Sequence, residues 1–347
     1  MARLRAWVTV VALAGLLAGA CSSGASSSSG GTTSLPDGLG AVKDTALSRM
    51  RFAWADMGQL RKLTGLTSAS AAAHKRGDPK WSRLLDVGVD TELEPQLTQA
   101  TGIDAFKASR AISIGLIPNK ATRLDRVTAA MVTKKMNALG ATQEKAFGRT
   151  FLVLAGEGQV DVSNPKLGNN LFLALNRVAL KGSAAAFGLA DAPIDAVLGG
   201  GRSLSSVGAE AGVADCLGDV FVADIMAPPA GAAFGVSLLG VGVRRPQPGD
   251  PRVREVLCEA VQKGLDRSVA DAVRTRVIPE ARLPVGGYQV LDEVSQASVE
   301  QLSSHDVSLV RLTIDLVAPA RAGFLLFDQR PGLAFLGGGA APAGTSG

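Results

Sequence analysis

Residues 109–155 read SRAISIGLIPNKATRLDRVTAAMVTKKMNALGATQEKAFGRTFLVLA, and this stretch decides the fold class. Over Ser109–Gly115 the residues alternate, with Ala111, Ser113 and Gly115 opposite Ile112 and Ile114, which is the period of a strand. A turn at Pro118-Asn119 leads into a second strand, Ala121–Val127. Thr128 stands where a helix cap is wanted, and Ala129, Val132, Met136 and Leu139 share a face before Gly140 ends the helix. Thr142–Phe147 and Arg149–Ala155 follow as a hairpin about Gly148. The order strand, strand, helix, strand, strand implies an α+β fold, a mostly antiparallel sheet with helices packed on one face.

Upstream, the stretch from Pro36 to Ala53 predicts a short helix and then extended chain at Arg51–Trp54. Asp56 is placed to cap a helix with Met57, Leu60 and Leu63 on one face, and Gly65 closes it. Residues 67–80 are small and polar and read as an exposed loop. Glu92–Thr101 reads as helix up to Gly102. Downstream, Leu171–Leu180 and Ala184–Leu189 suggest a hairpin around Lys181-Gly182-Ser183, and Ala192–Leu198 a short helix broken by Gly199-Gly200-Gly201. The softest boundary lies at 199–206, dividing the foldable chain into candidate subdomains 36–200 and 201–336. The second opens on a helical stretch holding Cys216, then paired strands at Phe221–Met226 and Ala233–Arg244. Val253–Val261, with Cys258, fits a strand or a helix. Ser268–Val277 reads as helix. Over Val307–Val317 the odd positions Val307, Leu309, Arg311, Thr313, Asp315 and Val317 oppose Val310, Leu312, Ile314 and Leu316. Phe324–Phe327 and Leu333–Leu336 are assigned to the sheet, and 337–347 to a disordered tail. No internal repeat is strong enough to claim.

At the N-terminus, Arg3 and Arg5 precede an apolar run from Ala6 to Leu17, then Leu17-Ala18-Gly19-Ala20-Cys21 and a Ser/Gly tract. These are the parts of a secretory signal. The apolar run is shorter than the ~20 residues a transmembrane helix needs. The stretch resembles the signal peptide and lipobox of a bacterial lipoprotein. That resemblance implies removal of residues 1–20, a diacylglyceryl group on the Cys21 thiol, and acylation of its new amine. Ala18 departs from the pattern, which usually has Leu there; Leu17 lies one place further out. Simple secretion with Cys21 incidental is the plainer alternative. Two or more acyl chains anchor a protein stably. Residues 21–35 then form a flexible tether, spanning on the order of 20 Å as a coil.

The formal charge is +5, and loss of Arg3 and Arg5 with the leader lowers it to +3. The basic residues are scattered, and with export this argues against nucleic acid as a partner. One Tyr, three Trp and eleven Phe supply few aromatic platforms for sugars or peptides. Two cysteines remain beyond Cys21. In an exported chain Cys216 and Cys258 most often pair, and closing that loop would add about 4 kcal/mol in the chain-entropy model. Two free thiols or a metal site are the alternatives, although a metal site would want more histidine than His74 and His305.

Chemistry-bearing patterns are thin. Ser303-Ser304-His305-Asp306 offers the residue types of a triad, but triad groups come from separate elements. The Gly199–Ser203 run, with Arg202, has the composition of an anion cradle, and a plain loop is its simpler reading. Asp215 and Asp219 lie one helical turn apart, as a carboxylate pair or a solvated helix face. No catalytic, cofactor-binding or metal-ligating residue is assigned.

The string Val213-Ala214-Asp215-Cys216-Leu217-Gly218-Asp219-Val220, with the lipobox, the Ser/Gly tether and a two-cysteine ectodomain, resembles uncharacterised actinobacterial lipoproteins. The resemblance implies no particular activity. The expectation is a lipid-anchored extracytoplasmic protein of the cell membrane, held by Cys21, acting as a non-catalytic binding or scaffolding module. A transporter's solute-binding lipoprotein, with two hinged lobes, is the alternative, and a carboxylate-dependent envelope hydrolase a third.

Overall fold

The computed structural model describes residues 33–66, 81, 84, 87, 94–159, 175–228, 235–250, 252–277 and 294–316. The expected signal peptide, Cys21, the 67–80 loop with His74, the 324–336 segments and the 337–347 tail lie outside the described residues. From Thr32 onward the chain is one compact unit.

Among the described residues, twelve strands form one sheet in which every pairing is antiparallel. Its centre is β1 (Arg51–Asp56) beside β8 (Val220–Met226). From β1 the sheet runs through β2 (Arg110–Ile114) and β3 (Ala121–Asp125). It continues through β7 (Ala184–Gly188), β6 (Arg177–Lys181) and β5 (Arg149–Val153) to the edge strand β4 (Thr142–Ala146). From β8 it runs through β9 (Val236–Arg244), β10 (Val253–Val261) and β12 (Val307–Leu316) to the other edge, β11 (Val294–Ser304). The α+β class with a mostly antiparallel sheet is what the stretch 109–155 implied.

Helices cover both faces of the sheet, not one as expected. On one face lie α1 (Leu35–Gly40), α6 (Asp191–Leu198) and α7 (Gly208–Leu217), packed on Phe52, Trp54, Val256 and Cys258. On the other lie α3 (Met57–Thr64), α4 (Glu94–Thr101), α5 (Ala129–Ala138) and α8 (Asp266–Val277), packed on Ala55, Leu257, Leu312 and Ile314. The physical reason is that the central strands are apolar on both sides. The segments RFAWAD and VFVADIM are buried almost throughout, and two apolar faces need two covers. The short helix α2 (Ala46–Met50) precedes β1.

Local signals explain the helix ends. The Asp56 side chain accepts from the Gln59 N–H at 3.0 Å, and Gly65 takes the left-handed conformation that closes α3. Thr128 precedes α5 as expected, without a side-chain cap bond. Val253–Val261, open between two readings, is a strand, buried on both faces. The edge strand β11, absent from the expected elements, is long and largely exposed. Its hairpin to β12 turns at His305 and Asp306, both at positive φ.

The two halves repeat one plan. Each begins next to the sheet centre with three meandering strands (β1–β2–β3, β8–β9–β10) and crosses one face by a helix (α5, α8). Each then fills inward from its edge strand (β4, β11) until its last strand pairs with its third (β7 on β3, β12 on β10). The first half carries one more hairpin. Residues 199–206, the softest boundary in the sequence, connect the halves, which meet strand to strand between β1 and β8.

Candidate functional site

The helix α7 organises the half-sheet beneath it. Gly240 of β9 has no room for a side chain, because a Cβ there would stand 2.3 Å from the Val213 Cγ1 and 3.2 Å from the Leu217 Cδ1. Gly212 packs closely too, since a Cβ there would stand 3.1 Å from the Ser304 carbonyl oxygen and 3.5 Å from the Val307 Cβ. The Sγ atoms of Cys216 and Cys258 are 2.05 Å apart, so a disulfide ties the last turn of α7 to β10. Beyond Cys216 the helix ends at Gly218 with φ 72°.

The sequence candidates fall in three places. In the hairpin, the Ser304 Oγ donates to the Asp215 Oδ2 at 2.7 Å, and the His305 Nε2 lies 3.1 Å from that same oxygen. Ser, His and Asp therefore meet from two elements, but the carboxylate is the hub. Nucleophile activation needs the imidazole between the other two groups. Here the hydroxyl is spent on the carboxylate, and His305 and Asp215 are about half exposed. Asp219 does not join Asp215. It lies past the helix end and pairs with the Arg245 Nε at 2.9 Å, so the two carboxylates have separate partners and do not form a pair.

The glycine run after α6 is not an anion cradle. It sits at a helix C-terminus, the electronegative end, where the last carbonyls of α6 and that of Gly199 collect cations. Arg123 donates to the Val197 oxygen at 3.3 Å, Lys181 to the Leu198 oxygen at 3.0 Å and Arg149 to the Gly199 oxygen at 2.5 Å. Burial, then the neighbouring Arg149 and Arg123, holds the Lys181 ammonium below its usual range. Arg202 points away, bonded to Ser206 and paired with Asp44. A Cβ on Gly199 would come 2.2 Å from the Ala41 oxygen, so packing accounts for that glycine.

The remaining polar arrangement was not read from the sequence. Past the end of α7, the α7-side face of the half-sheet is floored by polar residues in register. Gln296 pairs across to Asp315, which faces Arg254; Ser298 faces Thr313; Glu300 faces Arg311. These are the same alternate positions of β12 that the sequence set opposite its apolar ones. An open depression of about 560 Å³ is lined by Arg254, Gln296, Ala297, Ser298, Thr313 and Asp315.

The charges on this face are mostly matched. The Arg254 Nε donates to the Asp315 Oδ1 at 2.7 Å, and the Arg252 Nη1 to the Asp315 Oδ2 at 3.0 Å. Arg252 also clamps Asp250, whose carboxyl those hydrogen bonds hold well below the usual carboxylate range. Arg311 is paired with Glu300 and donates to the Cys216 carbonyl at 3.3 Å. Arg244, the last residue of β9, differs. It is half-buried, no described residue accepts a hydrogen bond from its guanidinium, and its Nε is shielded from water. Burial, followed by Arg311 and Arg254, pulls its pKa down, with Glu300 and Asp219 opposing. The electronegative end of α7 offsets part of that charge. The balance is a half-buried cation flanked by cations, which suits an anion.

Comparison with family models, with curated proteins and with solved structures finds no match to this chain.

Proposed function

We propose that the chain is an extracytoplasmic lipoprotein, anchored through Cys21, whose folded part serves as a non-catalytic binding or scaffolding module of the cell envelope. The observation that carries this reading is the Cys216–Cys258 disulfide. A structural disulfide belongs to an oxidising compartment, in keeping with export by the basic and apolar leader. It also occupies both cysteines of the ectodomain, leaving Cys21 as the thiol available to lipid. The polar face beyond α7 is the surface best equipped for a ligand.

The test is metabolic labelling with an alkyne fatty acid and membrane fractionation of the wild type and Cys21→Ala in a bacterial host. Label and membrane retention in the wild type, both lost in the variant, are expected. A Cys21→Ala protein that still sediments with the membrane, or an unlabelled wild type, overturns the anchor.

A further inference from the structure

Arg244 poses an energetic problem that a ligand would solve. Partial burial of a guanidinium is costly unless it is paired, and two like charges nearby add to the cost. Arg254 and Arg311 have carboxylate partners; Arg244 has none among the described residues. The end of α7 lies against one side of it, since a Cβ on Gly218 would stand 3.7 Å from the Arg244 Nη2, at contact distance. A planar guanidinium fork suits the oxygens of phosphate in particular. Arg254, the neighbour of Arg244, lines the depression that also holds Ser298, Thr313 and Asp315.

The position of this face suggests the source of the phosphate. The described chain starts at Thr33, whose carbonyl accepts from the Arg245 Nη2 at 2.7 Å. Arg244 and Arg245 are consecutive, so the chain enters the fold at the end of the sheet where the arginine face lies. Residues 22–32, which separate Cys21 from that point, reach at most about 40 Å.

We propose that Arg244, seated between Arg254 and the end of α7, binds a phosphate oxyanion supplied by an anionic lipid headgroup of the membrane that holds the chain. The choice of a headgroup as source rests on the anchored reading; the oxyanion chemistry does not. Juxtamembrane arginines near an anionic leaflet are attracted to it, and a site at the tether end would set the orientation of the domain on the surface.

The test uses full-length protein carrying Cys21→Ser, so that binding is read without the anchor. Inorganic phosphate, titrated by calorimetry, is expected to bind the parent and to lose about tenfold in affinity with Arg244→Gln. Arg244→Lys keeps the charge without the fork and is expected to fall between the two. Arg274→Gln removes an equal charge from α8 on the opposite face and is expected to leave binding unchanged. Sedimentation with phosphatidylglycerol vesicles, against phosphatidylcholine, is expected to follow the same order. No phosphate binding, or equal losses in Arg244→Gln and Arg274→Gln, overturns the site. Phosphate binding that depends on Arg244 without preference for phosphatidylglycerol overturns the headgroup and assigns the site to a soluble phosphate compound. An unlabelled Cys21 overturns the anchor, and with it the argument for a headgroup as source, and leaves the phosphate readings as they stand.

Discussion

Glu210 lies in the first turn of α7, only 4% exposed, with its Oε2 buried and unbonded. Burial raises its pKa, Arg49 opposes that, and Asp44 adds to it. A carboxyl raised in the folded state contributes its stability fully below its unfolded value, near 4.5, and loses it as pH rises through the folded value. Glu210→Gln, which resembles the protonated form, is therefore expected to raise Tm at pH 7 and to leave it unchanged at pH 4. Thermal unfolding followed by circular dichroism across that range checks this; equal shifts at both pH values would defeat it. How far single residues could be read in advance follows the same logic of local against tertiary information. Arg311, Thr313 and Asp315 share a face by strict alternation, so their common side was legible. That Arg254 and Arg244 belong to the same floor depends on the β9–β10–β12 register, which no local pattern encodes. Likewise Ser304 and His305 were legible as triad residue types, while their meeting with Asp215 depends on where α7 lies.

At the level of elements, α7 and its two strands form the best-argued unit. Gly240→Ala drives a methyl into Val213 and Leu217, and overpacking of this kind costs about 1–3 kcal/mol. The loss should show as a lower urea midpoint with an unchanged slope. Cys258→Ser, or reduction of the wild type, removes the bond from α7 to β10 and should cost about 2–4 kcal/mol. Dithiothreitol should then destabilise the wild type and not the variant, and a variant as sensitive as the wild type would count against that assignment. The elements that were legible carry their own punctuation, such as Asp56 and Gly65 around α3 or Gly148 between β4 and β5. Those that were not lack an amphipathic signal. Strand β10 is buried on both faces, so its residues do not alternate in polarity, and strand or helix stayed open. Strand β11 is an edge, its polar Ser295-Gln296-Ala297-Ser298 run exposed, and resembles a loop in composition.

Across the whole molecule, the twofold plan of the sheet was invisible in the sequence because a topology constrains burial and chain direction, not residue identity. Its consequence is mechanical: the halves share the seam between β1 and β8. Arg51 of β1 reaches across it to Asp224 of β8 with two hydrogen bonds of 3.1 and 2.8 Å, and the carboxylate is fully buried. Asp224→Ala strips Arg51 of that partner. Breaking a buried pair costs about 3–5 kcal/mol, and the partial exposure of Arg51 sets the expectation at about 3 kcal/mol. Because residues from Thr32 onward form one unit, the loss is expected on both sides of the seam. Amide exchange should accelerate together in β2 and β3 of one half and in β9 and β10 of the other, in a single unfolding transition. Faster exchange confined to β8–β10, with β2 and β3 still protected, would mean that the halves unfold independently despite the continuous sheet.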